Sequence, residues 1–166
     1  MRCWRLPADI DTDQLAPGAT MKHGIETTAR HCLQVLRPDF APGVRPGDVV
    51  VAGPHFGIGS SREQAASVLV HLGVAAVVAP SYSGLYFRNA FNVGLLLLTC
   101  AEAALIEDGE AIAFDARSGR ITRADGSLLH CDPIPGFLLD MVDAGGLLPQ
   151  LKRQLQRRPE NPHEPT

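Results

Sequence analysis

The stretch from residue 48 to residue 98 limits the fold most. It carries three short apolar runs, at 48–53, 74–79 and 94–98, separated by two helix-compatible segments at 60–72 and 85–92. The runs are continuously apolar and do not alternate, as strands covered by helices on both faces require. Strands joined by helices form parallel sheets. This part of the chain is therefore predicted to be α/β with a parallel-strand core. On one side of the 60–72 segment lie Ala65, Ala66, Leu69 and Leu72, and Gly73 supplies a C-terminal stop.

The flanks read differently. Residues 1–47 are irregular, with an acidic turn at Asp9, Asp11 and Asp13, a break at Pro17-Gly18, a short helix within 25–37 and a proline-rich loop up to Gly47. A long irregular region in a compact domain is more often functional than idle. Segments 110–114, 120–123 and 127–131, separated by Arg117-Ser-Gly119 and Asp125-Gly126, are expected to form antiparallel strands joined by tight turns. Helices are expected at 137–144 and 147–156. A single domain over 1–156 follows, with a polar, proline-rich tail at 157–166 that is expected to be disordered.

A chain of 166 residues with 45% hydrophobic and 20% charged residues can bury one substantial core. A net charge of −3 without a long basic block argues against nucleic-acid binding. No apolar run approaches the ~20 residues that span a bilayer, so no membrane association and a cytoplasmic location are expected. Cys3, Cys32, Cys100 and Cys131 are widely spaced and form no C-x-x-C pair. The six histidines show no metal-ligand spacing either, so no metal site or cofactor is expected on this chain.

The segment with chemistry in it is Phe56-Gly57-Ile58-Gly59-Ser60-Ser61-Arg62-Glu63-Gln64, between a strand and a helix. Ligands of such sheets bind beyond the strands' C-terminal ends. One reading is structural: Ser60 and Glu63 have the spacing of a capping box, and the glycines permit the turn. A second adds Arg62. A cation in a helix's first turn opposes the helix dipole unless an anion binds there, and a guanidinium grips carboxylates with two parallel bonds. The two readings are compatible. A dinucleotide loop fails, because its third glycine position holds Arg62, and no Gly-Lys-Ser/Thr follows for a P-loop.

This block, with the segments Val77-Val-Ala-Pro-Ser-Tyr82 and Asn89-Ala-Phe-Asn-Val-Gly-Leu95, resembles the swivel domain of aconitase-type hydro-lyases. It is more closely similar to the separate small subunit of 3-isopropylmalate dehydratase. The likeness runs through roughly residues 9–155. It includes Ile10-Asp-Thr-Asp-Gln14, Arg45-Pro-Gly-Asp-Val-Val-Val-Ala-Gly53 and Phe137-Leu-Leu-Asp-Met-Val-Asp-Ala-Gly-Gly-Leu147.

The resemblance implies a swivel-type fold, a large partner subunit holding a 4Fe–4S cluster, and a small dicarboxylic hydroxy acid as substrate. It also implies isomerisation of 2- and 3-isopropylmalate by dehydration and rehydration in leucine synthesis. Ser60 would remove the proton, Arg62 would bind a substrate carboxylate and Ser61 would donate a hydrogen bond. Asp13 would pair with a histidine of the large subunit and help protonate the leaving hydroxyl, although it also suits a plain turn or helix cap. Two departures stand out. Gln64 replaces the family's usual histidine, and the 19–25 loop lacks the R-[YF]-L-like segment of isopropylmalate-type chains. That loop would face the variable part of the substrate, with Lys22 or His23 toward a second carboxylate and Met21 or Ile25 toward an alkyl group. Related hydro-lyases of citramalate, dimethylmalate, homocitrate or homoaconitate remain alternatives, as does a non-catalytic carboxylate-binding module.

Overall fold

A computed structural model describes residues 1–157. In chain order the elements are β1 (Cys3–Arg5), α1 (Thr12–Leu15), α2 (Gly18–Met21), α3 (Ile25–Arg30), α4 (Phe40–Gly43), β2 (Val49–Val51), α5 (Glu63–His71), β3 (Ala76–Ala79), α6 (Gly84–Asn92) and β4 (Leu96–Thr99). A 3-10 turn at Ala103–Leu105 follows, then β5 (Ala113–Asp115), β6 (Arg120–Thr122), β7 (Leu128–His130), α7 (Gly136–Ala144) and α8 (Leu147–Arg157).

The three apolar runs form β2, β3 and β4, all parallel, in the sheet order β1-β2-β3-β4. All three valines of β2 and all four residues of β3 are buried. Burying a valine stabilises by about 1.5–3 kcal/mol, which makes these two central strands the foundation of the core. The sequence reading missed β1. It is only three residues long and ends on exposed Arg5, so its apolar signal is too short to stand out. It pairs with β2 in the register Cys3↔Val49, and Trp4 anchors it. The Trp4 Nε1 donates to buried Asp48 at 2.9 Å, and its ring meets Phe40 edge-on with centroids 5.3 Å apart.

Strands β5, β6 and β7 form the expected antiparallel sheet. It is joined to the main sheet by backbone bonds, from Cys3 N to Glu110 O and from Asp132 N to Thr99 O. Three expectations need correction. The helix expected within 25–37 ends at Arg30, and residues 31–36 form a turn in which Leu33 takes a left-handed φ of 57°. The helix expected from Ser60 begins at Glu63. The last helix extends one residue further, to Arg157. The expected disordered tail otherwise lies outside the described residues. No helix among the described residues is long and apolar enough to cross a membrane.

Candidate functional site

The loop from β2 to α5 is pinned as an added, irregular strand. Asp11 bridges Ile58 in parallel, and Phe56 bridges Tyr82. Phe56 N donates to Ser81 O, and Thr12 N donates to Ile58 O. Phe56 is fully buried and meets the Tyr86 ring edge-on at 5.2 Å. Both glycines of the motif are required. At Gly57 (φ 79°) a β-carbon would lie 2.1 Å from Tyr86 Cγ, and at Gly59 (φ 97°) it would lie 2.6 Å from an Asp11 carboxylate oxygen. Only glycine combines left-handed backbone with such close approach. The clamped loop delivers residues 60–62 to the surface beyond the C-terminal end of β2.

The capping box expected at Ser60 and Glu63 is absent. Arg62 is the N-cap of α5 in extended conformation, with no side-chain cap. The helix starts too late for Ser60 to reach its first amides. The box forms instead at α1, where the Asp11 side chain accepts from Asp13 N and Gln14 Oε1 accepts from Asp11 N. Ser60 is held through its backbone, its carbonyl accepting from Thr12 Oγ1 at 3.0 Å. Among the described residues, the Ser60 and Ser61 hydroxyls make no hydrogen bond, and both residues are exposed.

Asp13 and Arg62 come together. Arg62 Nη1 donates to Asp13 Oδ1 and, at 3.2 Å, to the Ala16 carbonyl. Nε and Nη2 have no partner among the described residues, so one edge of the guanidinium is held and donors remain for a ligand. The Arg62 side chain is 21% exposed and that of Asp13 59% exposed, so the pair opens to solvent on the Asp13 side. Gly18 opens the next turn beside it, where a β-carbon would sit 3.7 Å from Arg62 Nη1.

Lys22 and His23 lie one turn further on, both exposed. His23 N donates to Thr20 O, which shapes residues 20–23 into a turn. Among the described residues, neither side chain forms an ion pair or hydrogen bond with Asp13, Arg62 or the serines. Met21 is half-buried and Ile25 exposed. The structure therefore groups Ser60, Ser61, Arg62 and Asp13, and leaves Lys22 and His23 on the adjoining turn.

The chain's thiols do not fit a cluster. Cys3, Cys32 and Cys100 are buried and Cys131 is half-buried. Among the described residues, no group of three or more His, Cys, Asp or Glu side chains could hold a metal ion. Burial pushes the Cys3 thiol up to about 12. Among the described residues, Cys100 and Cys131 influence each other: the Cys131 thiol draws Cys100 down to about 7, and Cys100 pushes Cys131 up.

An exposed Ser-Ser-Arg turn and an aspartate from the first helix thus meet at the edge of a parallel α/β sheet. The aconitase C-terminal domain family matches residues 38–103. The chain is 41% identical over 159 residues to 3-isopropylmalate dehydratase small subunit 1 of Archaeoglobus fulgidus, covering 95% of this chain and 98% of that one. It is 39% identical over 149 residues to the methanogen homoaconitase small subunit of Methanothermobacter thermautotrophicus, covering 89% and 86%. A crystal structure of a 3-isopropylmalate dehydratase from Methanocaldococcus jannaschii matches with a TM-score of 0.88 at 33% identity, covering 93% of each chain. The chain belongs to the 3-isopropylmalate dehydratase small-subunit family.

Proposed function

We propose that this chain is the small subunit of a two-subunit hydro-lyase that interconverts 2-isopropylmalate and 3-isopropylmalate in leucine synthesis. The observation that carries the reading is the half-held Arg62 guanidinium, paired with Asp13, on the turn that also exposes Ser60 and Ser61. Arg62 orients one substrate carboxylate with its unpartnered donors. Ser60 oxygen takes the proton from the carbon next to a carboxylate, and Ser61 donates a hydrogen bond. The hydroxyl on the adjacent carbon leaves with a proton as water, and a double bond forms. Water then adds back with hydroxyl and hydrogen exchanged between the two carbons.

A serine hydroxyl gives up its proton only where its oxygen is strongly stabilised. The positive charge of Arg62, two residues on, is the stabilising group this chain offers. Asp13 holds Arg62 in place and faces outward, where it can pair with a histidine of the large subunit and support protonation of the leaving hydroxyl. A 4Fe–4S cluster on that subunit would act as a Lewis acid toward the substrate hydroxyl.

The identity to a homoaconitase small subunit nearly equals that to the dehydratase subunits. Together with Lys22 and His23 on the turn beside Arg62, this supports homoaconitate-type substrates as a second reading. The test is a substrate panel on the complex reconstituted with its large subunit. Preference for isopropylmalates supports the first reading, preference for homoaconitate the second, and no dehydration of any hydroxy acid removes both.

A further inference from the structure

Building on that reading, we infer that the turn at residues 31–36 is a docking point for the large subunit, with Val35 as its central contact. Val35 is 98% exposed, and its neighbour Leu36 is 36% exposed. Side by side on a rigid turn, the two present apolar surface that a partner could cover. The turn is rigid: Leu33 N donates to Gln14 O at 2.7 Å, and Arg37 N donates to Leu33 O at 2.7 Å. Leu33 is held left-handed at φ 57°, an unfavourable conformation for leucine that the surrounding bonds enforce. The exposure of Val35 is therefore built into the backbone.

The occupant follows from what the turn borders. Val35, Leu36 and Leu33 line a concavity of about 400 Å³ together with Pro17, Gln14 and Asp13. Asp13 is the residue that pairs with Arg62. Groove and candidate site thus share a wall, and a chain that closes over Asp13 also covers the groove. A second concavity is lined by Leu148, 69% exposed, and by Glu63, which directly follows Arg62. The polar cluster thus adjoins apolar surface through Asp13. This arrangement suits a partner that must exclude water from the site while leaving its hydroxyls and guanidinium free for substrate. The relatives are small subunits, so the partner that fits is the large subunit, presenting an apolar side chain toward Val35.

The experiment measures affinity between the full-length chain and the purified, cluster-loaded large subunit by titration, alongside sedimentation of the small subunit alone. Val35→Asp should raise Kd at least tenfold while leaving the melting temperature of the isolated chain unchanged. Turnover at saturating large subunit should return to the wild-type value. Leu128→Asp, at an exposed position of β7, should leave Kd unchanged. Wild-type affinity for Val35→Asp overturns the assignment of the turn. A small subunit that self-associates through the turn, losing this on Val35→Asp with no change in large-subunit affinity, also overturns it. If wild-type protein binds no large subunit, the two-subunit reading fails as well, and that outcome is distinct from loss in the variant alone.

Discussion

Arg62 is fastened to Asp13 through a single guanidinium nitrogen, across 49 residues of sequence. The held nitrogen fixes the side chain, and the unpartnered Nε and Nη2 can face a carboxylate. A lysine at this position could keep the charge but could not both hold Asp13 and present a fork. Arg62→Lys should fold and assemble normally, with kcat/KM lower by roughly ten- to hundredfold, as expected for a lost charge-assisted hydrogen bond. Steady-state kinetics on the reconstituted complex checks this, and unchanged kinetics would mean that positive potential alone suffices.

Ser60→Ala separates catalysis from structure cleanly, because Ser60 caps no helix and its hydroxyl is free of internal bonds. Turnover should fall by orders of magnitude, while stability changes by no more than about 0.5 kcal/mol. Urea unfolding of the isolated chain and turnover of the complex are the two readouts. A stability loss near that of a removed N-cap would restore a structural role to the hydroxyl.

The Tyr86 hydroxyl is fully buried and has no hydrogen-bond partner among the described residues, whereas Tyr82 Oη lies 2.9 and 2.8 Å from the carbonyls of Val77 and Leu98. A buried unpaired hydroxyl costs about 1–3 kcal/mol. Tyr86→Phe should keep the ring that supports Gly57 and raise the melting temperature. Gly57→Ala should instead destabilise strongly, because its β-carbon would collide with that ring. Thermal unfolding of both variants tests the pair, and a loss of stability in Tyr86→Phe would reveal a partner for the hydroxyl.

Lys22 and His23 stand outside the Asp13–Arg62 cluster on the adjoining turn, so their influence should be on substrate ranking. Lys22→Ala and His23→Ala should leave stability unchanged. If a second carboxylate is read there, they should selectively impair substrates with a charged arm, and Met21→Ala those with an alkyl arm. The substrate panel decides, and an unaltered ranking across all three variants would assign specificity to the large subunit.

Hydrogen bonding from Arg37 holds the Asp108 carboxyl at about 2, below its ordinary 3.8. A carboxyl lowered in the folded state adds stability above its ordinary range, and this is lost as pH falls from about 4 to about 2. The carboxylate is 47% exposed, so solvent limits the contribution to about 0.2–1 kcal/mol. Asp108→Asn should be less stable than wild type by that amount at pH 7, and the difference should shrink as pH falls to about 2 and vanish below it. A gap that persists in acid would show that charge is not its source.

The sequence by itself determined the elements that short-range physics specifies. Continuous apolar runs require doubly covered strands, so β2, β3 and β4 were legible with the helices between them, and the Ser60-Ser61-Arg62 motif was legible as lying between a strand and a helix. Short segments separated by turns at Gly119 and Gly126 announced the antiparallel sheet. Only the tertiary structure decided the partners. Asp13 meets Arg62, Tyr86 fills the space that Gly57 leaves, and Cys131 reaches Cys100, because packing of the sheet and its helices brings distant segments together. The start of α5 was also decided in three dimensions. Ser60 and Glu63 have capping-box spacing, but the bridge to Asp11 and the bond from Thr12 hold the loop extended through Arg62, and those tertiary bonds outweigh a local cap.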